Sequence, residues 1–206
     1  MPKKEVPLSV LEDYIPSSSV PLILHYIRHY KVHLTITKKR KTILGDYRHT
    51  TGLKNHRISV NGNLNPYAFL ITLIHELAHL VTFDRYGNRV DAHGKEWKGI
   101  YRHLLLEFMG AEIFPADIVE ALERSLHNLP ASSCADDVLM RVLKNYDQHN
   151  DALQFVEQLE EGSLFEMEEG RVFKKGKKLR KRFQCVEVKT GKLYLFSPIH
   201  AVKPLG

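Results

Sequence analysis

Residues 70–97, LITLIHELAHLVTFDRYGNRVDAHGKEW, decide the fold. The first half of this stretch is apolar on nearly every side, which predicts a helix buried in the core. His75, Glu76 and His79 interrupt that apolar surface. Because helical residues four apart lie one above the other, His75 and His79 project towards one point, with Glu76 beside it. Buried polar groups without partners cost several kcal/mol, and a metal ion would remove that cost.

The spacing of these three residues suits zinc. In catalytic sites Zn²⁺ binds imidazole nitrogens tetrahedrally and keeps one position for water. Glu76 is then placed to act as the general base for the attacking water. The alternative is a pair of ordinary core histidines that match the motif by chance. The burial of the helix, its position after a small sheet and a candidate third ligand favour the metal site.

The candidate third ligand is His93, which follows His79 by fourteen residues. Gly94 comes next and lets the chain turn without a Cβ clash. The spacing favours His93 because it stands nearest the start of the following helix. Competing ligands on that helix are Glu96, His103 and Glu107. Trp97 is expected to pack between the two helices.

The hydrophobic pattern around this stretch predicts an α+β fold. Strands are predicted at 32–37, 42–48 and 56–62, forming a small antiparallel sheet ahead of the motif helix. Asn65-Pro66 is a helix start, and that helix should run to about Phe83. Further helices are predicted at 17–31, 94–109, 115–127 and 136–147.

The composition places the chain among cytoplasmic proteins. Its 206 residues suffice for one domain with an appendage. No run of about 18 uncharged apolar residues is present, and the N-terminus lacks the apolar region of a signal peptide, so we expect no membrane partner. Two cysteines, Cys134 and Cys185, do not make a disulfide framework.

Four segments resemble the SprT-like zinc metalloprotease family in their order and approximate spacing: TILGDYR, ISVNGNL, LIHELAHL and HGKEWK. The family includes Spartan, a eukaryotic protease that cleaves proteins crosslinked to DNA, and the resemblance covers roughly residues 18–110. It implies a zincin-like core, in which a short antiparallel sheet lies over the active-site helix and a substrate strand can pair with the sheet edge. It also implies one catalytic Zn²⁺ on His75, His79 and His93, with Glu76 as catalytic base, and so favours His93 over Glu96.

The resemblance and the composition predict three regions. Residues 1–130 form the SprT-like core, 131–162 a helical connector and 163–206 a basic, β-rich unit. That last region carries eleven basic and four acidic side chains, a net charge of +7 that leaves −1 for the rest of the chain. Many SprT-like proteins end in a zinc ribbon with four cysteines, whereas this region contains only Cys185. We therefore expect a ribbon-like unit without metal, held together by its aromatic residues.

The segment KKGKKLRKRF places seven basic residues within ten. Neutralisation of phosphates drives nucleic-acid binding, so this cluster predicts sequence-independent contact with DNA, and Phe173 and Phe183 could stack on bases. The alternative is a solvated turn with an inward-facing aromatic pair. The predicted DNA contacts are Lys174, Lys175, Lys177, Lys178, Arg180, Lys181 and Arg182.

These features together predict a zinc-dependent endopeptidase of the bacterial cytoplasm, with protein or peptide substrates that are associated with DNA or crosslinked to it. One alternative is a non-catalytic, metal-stabilised module that binds nucleic acid or takes part in transcription. A second is a zinc hydrolase with a non-peptide substrate. The intact Glu76 favours an enzyme, because a purely structural metal site has no need for that carboxylate.

Overall fold

The computed structural model describes residues 8–40, 43–49, 55–127, 129, 136–147, 152–167 and 169–205. The chain forms two compact units, Met1–Asp147 and Gln148–Gly206, and the mixed α+β content matches the sequence prediction. The division comes before Ser163, where the sequence placed the start of the β-rich region. It comes earlier because Gln154 and Phe155 pair with the last strand of the second unit. Cys134 lies outside the described residues.

The first unit contains five helices and three strands among its described residues, after two 3-10 turns at Leu8–Asp13 and Ser17–Ser19. The helices begin and end within a few residues of their predicted positions. In chain order the elements are α1 (Val20–His29), β1 (His33–Thr37), β2 (Gly45–Arg48), β3 (Arg57–Asn61), α2 (Pro66–Tyr86), α3 (Lys95–Gly110), α4 (Ala116–Leu126) and α5 (Asp137–Lys144).

The three strands form a mixed sheet in the order β1-β3-β2, not the antiparallel sheet that the sequence predicted. β2 pairs antiparallel with β3, but β1 runs parallel to β3. The chain reverses direction between β1 and β2 and again between β2 and β3, so β1 and β3 run the same way. β3 lies between the other two strands. Arg40 secures the chain between β1 and β2, donating from Nε to Asn61 Oδ1 (2.7 Å) and from a terminal nitrogen to the Leu44 carbonyl (3.2 Å).

α2 is the central helix of the first unit. It starts as predicted: Pro66 occupies its first turn, and the Asn65 side chain accepts a hydrogen bond from the Ala68 N–H at 2.9 Å. By length and composition α2 could cross a membrane, but 78% of its apolar 18-residue stretch is buried inside the protein. That burial is typical of the core helix of a soluble protein.

The second unit is a six-stranded sheet in the order β4-β9-β5-β6-β7-β8. A 3-10 turn at Val156–Gln158 follows its first strand. The strands are β4 (Gln154–Phe155), β5 (Leu164–Glu166), β6 (Val172–Leu179), β7 (Arg182–Glu187), β8 (Leu193–Phe196) and β9 (Ala201–Leu205). The predicted core of this unit is confirmed: its aromatic cluster contains Phe165, Phe173, Phe183 and Phe196 together with a fully buried Cys185.

Candidate metal centre

Two parts of the first unit converge on the predicted site. α2 presents His75, Glu76 and His79 from its middle turns, and the loop that precedes α3 brings in His93. α2 ends at Tyr86, and Gly87 follows it with φ 61°, a conformation that favours glycine and lets the chain turn away from the helix. The loop that begins there therefore returns His93 to the face of α2 that carries the other two imidazoles.

The three imidazoles form the group that can hold a metal ion within the described part of the chain, and their ligand atoms all lie within 4.8 Å of one another. The Nε2 atoms of His75 and His79 are 3.3 Å apart. Two nitrogens that bind one tetrahedral Zn²⁺ at its usual bond length would be about 3.3–3.4 Å apart. The helical pair is thus already spaced for a shared cation.

Unsatisfied buried nitrogens point to the same conclusion. The Nε2 atom of His93 is buried and has no hydrogen-bond partner among the described residues, and the same holds for the Nδ1 atom of His75. Buried polar atoms nearly always have a partner in native proteins. A cation among the three rings would supply one for His93, so the donor set fits a metal.

Trp97 forms one wall of the centre. Its side chain is fully buried, as predicted, and packs between α2 and α3. Its ring centroid lies 4.8 Å from that of His75, 5.1 Å from that of His79 and 4.8 Å from that of His93. A single rigid indole therefore contacts all three imidazoles and restricts their orientations.

The electrostatics keep the imidazoles in the form that binds metals. The pKa of His75 is lowered to about 3, chiefly by burial and also by the neighbouring His79 and His93. Burial and the neighbouring His93 lower the pKa of His79 to about 4. The pKa of His93 is also lowered, chiefly by burial. All three rings are therefore neutral at pH 7, with lone pairs free for a cation.

Glu76 lies in the wall of a cavity of about 560 Å³, between α2, β2 and the loop that carries His93. The pKa of Glu76 is raised to about 8, chiefly by burial and also by Asp46, whereas Arg40 and the Tyr47 backbone N–H, which donates to the carboxylate, oppose the rise. A cation beside the carboxylate would lower that pKa. Metal loading would thus convert Glu76 from an acid into a base at neutral pH.

The competing ligands lie elsewhere. Glu96 and His103 line a separate cavity of about 730 Å³ that also borders α1. Glu107 accepts a hydrogen bond of 2.5 Å from the Tyr26 hydroxyl. The structure therefore brings His93, and none of these three, to the imidazole pair on α2.

Sequence reasoning overlooked Gly45, which begins β2 directly against Glu76. The available signal was a glycine inside a strand pattern, which often marks a close approach of another group to the backbone. It gave no indication of which group approaches.

The basic segment forms the β6–β7 hairpin of the second unit. Six of the seven predicted DNA contacts are exposed: Lys174, Lys177, Lys178, Arg180, Lys181 and Arg182. Lys175 has to be removed from that set, because its side chain points into the core and its ammonium group donates to the Leu159 carbonyl. Phe173 and Phe183 are buried as well, so neither can stack on a base.

Comparisons with known proteins concern the part of the chain that carries these residues. Residues 22–113 match the model of the SprT-like family. Over 37 residues the chain is 60% identical to "Protein SprT" of Vibrio parahaemolyticus serotype O3:K6 (strain RIMD 2210633). That match covers 18% of this chain and 22% of the relative, so it spans about a fifth of the relative's length. No solved structure matches the chain.

Proposed function

Because the chain belongs to the SprT-like family through residues 22–113, we propose that it is a zinc-dependent endopeptidase with a zincin-like core. We place it in the cytoplasm, with DNA-associated or DNA-crosslinked proteins as its substrates. The observation that carries the proposal is the convergence of three neutral imidazoles beside a buried carboxylate in an open cavity. Three nitrogen donors with room for a further ligand are the donor set of catalytic zinc.

The residues of the chain have distinct tasks in this proposal. His75, His79 and His93 would hold Zn²⁺, which when bound polarises the peptide carbonyl and favours ionisation of water. Glu76 takes the proton from the water that attacks the carbonyl carbon and passes it to the departing amine. β2 lies at one edge of its sheet, so an extended substrate can pair with backbone groups of β2 other than the Tyr47 N–H.

Substitution of the carboxylate tests the enzymatic role. Glu76→Gln should keep one equivalent of zinc but lower the rate of cleavage of a denatured test protein by at least about 100-fold, because general-base catalysis contributes roughly 10²–10⁴. Glu96→Gln is the matched control, since it neutralises a carboxylate outside the site, and it should cleave normally. Unchanged cleavage by Glu76→Gln, or less than half an equivalent of any transition metal in the purified protein, would refute the proposal.

The basic hairpin supports the part of the proposal that concerns DNA. Six exposed cations within nine residues can neutralise backbone phosphates without reading bases. Replacing Lys177 and Lys178 by Ala should weaken binding of single-stranded DNA and reduce its dependence on salt concentration. Replacing Lys189 and Lys192 by Ala, at the exposed β7–β8 turn, is the matched control and should have the smaller effect.

The non-catalytic alternative makes a different prediction for the same proteins. A metal-stabilised binding module would bind DNA through the hairpin, retain zinc and cleave nothing, so Glu76→Gln would match the wild type in every assay. The cavity beside Glu76 argues against this alternative, because a structural zinc site is closed by four protein ligands.

A further inference from the structure

Gly45 lies where any side chain would collide with the proposed catalytic base. A Cβ atom built on Gly45 would be 2.4 Å from Glu76 Oε1, 2.8 Å from Glu76 Cγ and 2.8 Å from Thr72 Cγ2. Real Cβ atoms essentially never approach another heavy atom within 3.0 Å. The φ angle of Gly45 lies outside the left-handed region, so the backbone does not demand glycine there. Space alone does.

We propose that Gly45 is a positioning residue: its missing side chain lets β2 lie close enough to α2 to hold the Glu76 carboxylate in its working position. This inference rests on the proposed role of Glu76 as the general base. The backbone of β2 acts at two points, since the gap at Gly45 receives the carboxylate and the Tyr47 N–H donates a hydrogen bond to it.

Both walls of this gap are fixed. On α2, the Thr72 hydroxyl donates to the Ala68 carbonyl at 2.8 Å, which fixes the rotamer that turns the Thr72 methyl towards Gly45. On the sheet, Arg40 donates to the Leu44 carbonyl next to Gly45 and also to Asn61 of β3. A methyl group at position 45 therefore cannot be accommodated by movement of either wall, and the carboxylate has to move.

The displacement should separate metal binding from catalysis. The atoms nearest the added Cβ belong to Glu76 and Thr72, and none belongs to a histidine. Gly45→Ala should therefore keep one equivalent of zinc and a KM within about threefold of the wild type. Its kcat should fall about 100-fold, the loss expected when a catalytic group is misplaced by about 1 Å.

A second substitution tests whether Glu76 or the Thr72 wall carries the effect. Thr72→Ser keeps the hydroxyl that bonds Ala68 and removes the methyl that borders the gap. Because both close contacts with Glu76 remain in the Thr72→Ser background, Gly45→Ala should still lower kcat about 100-fold there, and full recovery would assign the effect to the Thr72 methyl instead. Gly99→Ala is the matched glycine control, because a Cβ there meets nothing within 4 Å, and it should match the wild type.

A stability measurement needs neither activity nor metal. In metal-free protein, Gly45→Ala should lower the melting temperature by about 4–8 °C, as overpacking does in a chain of this size. In a Glu76→Ala background the same substitution should lower it by about half as much, because both close contacts with Glu76 are gone and only the contact with Thr72 Cγ2 remains. This comparison also holds if Gly45→Ala alone folds poorly.

The outcomes separate the two proposals. An equal thermal cost in both backgrounds, wild-type kcat in Gly45→Ala, or loss of zinc together with activity would each overturn the role of Gly45. If the wild type itself cleaves no protein, the proposed function fails, while the thermal comparison still decides whether Gly45 makes room for Glu76.

Discussion

Glu76 is a carboxylic acid that is only 6% exposed, and in this environment its protonation stabilises the folded state. In the metal-free protein its pKa is raised from 4.5 to about 8. The folded state therefore binds the proton more tightly than the unfolded state. The resulting stabilisation is fully present below pH 4.5 and is lost as the pH rises through 8.

We predict that Glu76→Gln flattens the pH dependence of stability in metal-free protein. Between pH 5 and pH 9 the wild type should lose roughly 3–5 kcal/mol of unfolding free energy relative to Glu76→Gln, since one pKa unit corresponds to about 1.4 kcal/mol. Urea unfolding in the presence of a chelator measures this difference. Glu96→Gln should follow the wild-type curve, and parallel curves for the wild type and Glu76→Gln would contradict the burial of the carboxylate.

His93 is the residue that distinguishes a three-ligand site from a helical pair. We predict that His93→Ala lowers zinc affinity by at least about 100-fold, more than the loss of an outer-shell partner typically causes. Competition with a chromophoric chelator measures the affinity. Glu96→Ala, three residues further along, should bind zinc like the wild type, and the reverse result would reassign the third ligand.

At the scale of single residues, the sequence predicted those site residues whose positions follow from helical periodicity. His75, Glu76 and His79 follow from helical spacing alone. The residues by themselves left Glu96 open as an alternative to His93, because the path of a loop has no periodic signal. The burial of Lys175 could have been predicted, since strand alternation places it on the same face as Phe173. The charge of the cluster masked that pattern.

The start of α2 links two helices through one side chain. Asn65 Oδ1 caps α2, while the Asn65 amide nitrogen donates to the Leu143 carbonyl (2.8 Å) and to Asp147 Oδ1 (2.7 Å), near the end of α5. The same residue thus caps the helix that carries His75 and His79 and ties α5 to it.

We predict that Asn65→Asp destabilises the first unit although aspartate is as good a helix cap as asparagine. The new carboxylate keeps the cap but cannot donate to Leu143, and it faces Asp147, so the expected loss is about 1–3 kcal/mol. Chemical unfolding measures it. Asn65→Asp with Asp147→Asn removes the like-charge pair and should recover part of the loss; a double variant no better than Asn65→Asp would show that the repulsion is absent.

Elements proved easier to predict than their pairing. The five helices and the three strands of the first unit were predictable from hydrophobic spacing and from the Asn65-Pro66 start. The parallel pairing of β1 with β3 was not, because alternation identifies a strand's buried face but not its neighbour. What decides the order here is the path of the chain between β1 and β2, which Arg40 secures through contacts distant in sequence.

At the scale of the whole molecule, chemistry and charge are divided between the two units. The candidate metal centre lies within Met1–Asp147, and the basic hairpin lies within Gln148–Gly206. Each unit has a hydrophobic cluster of its own. The composition revealed this division through the excess positive charge of the last residues, but the exact boundary depends on the pairing of β4 with β9.

Because each unit has its own hydrophobic core, unfolding of the second unit should leave zinc binding by the first unit intact. Phe173 is 1% exposed, and its ring lies 5.6 Å from that of Phe165 and 5.0 Å from that of Phe196. Phe173→Ala should cost about 3–5 kcal/mol, enough to unfold a unit of this size. DNA binding should then be lost, while zinc stoichiometry and peptide cleavage stay within about twofold of the wild type. Phe108→Ala, in the core of the first unit, should instead reduce zinc content, and zinc loss from Phe173→Ala would show that the metal centre depends on the second core.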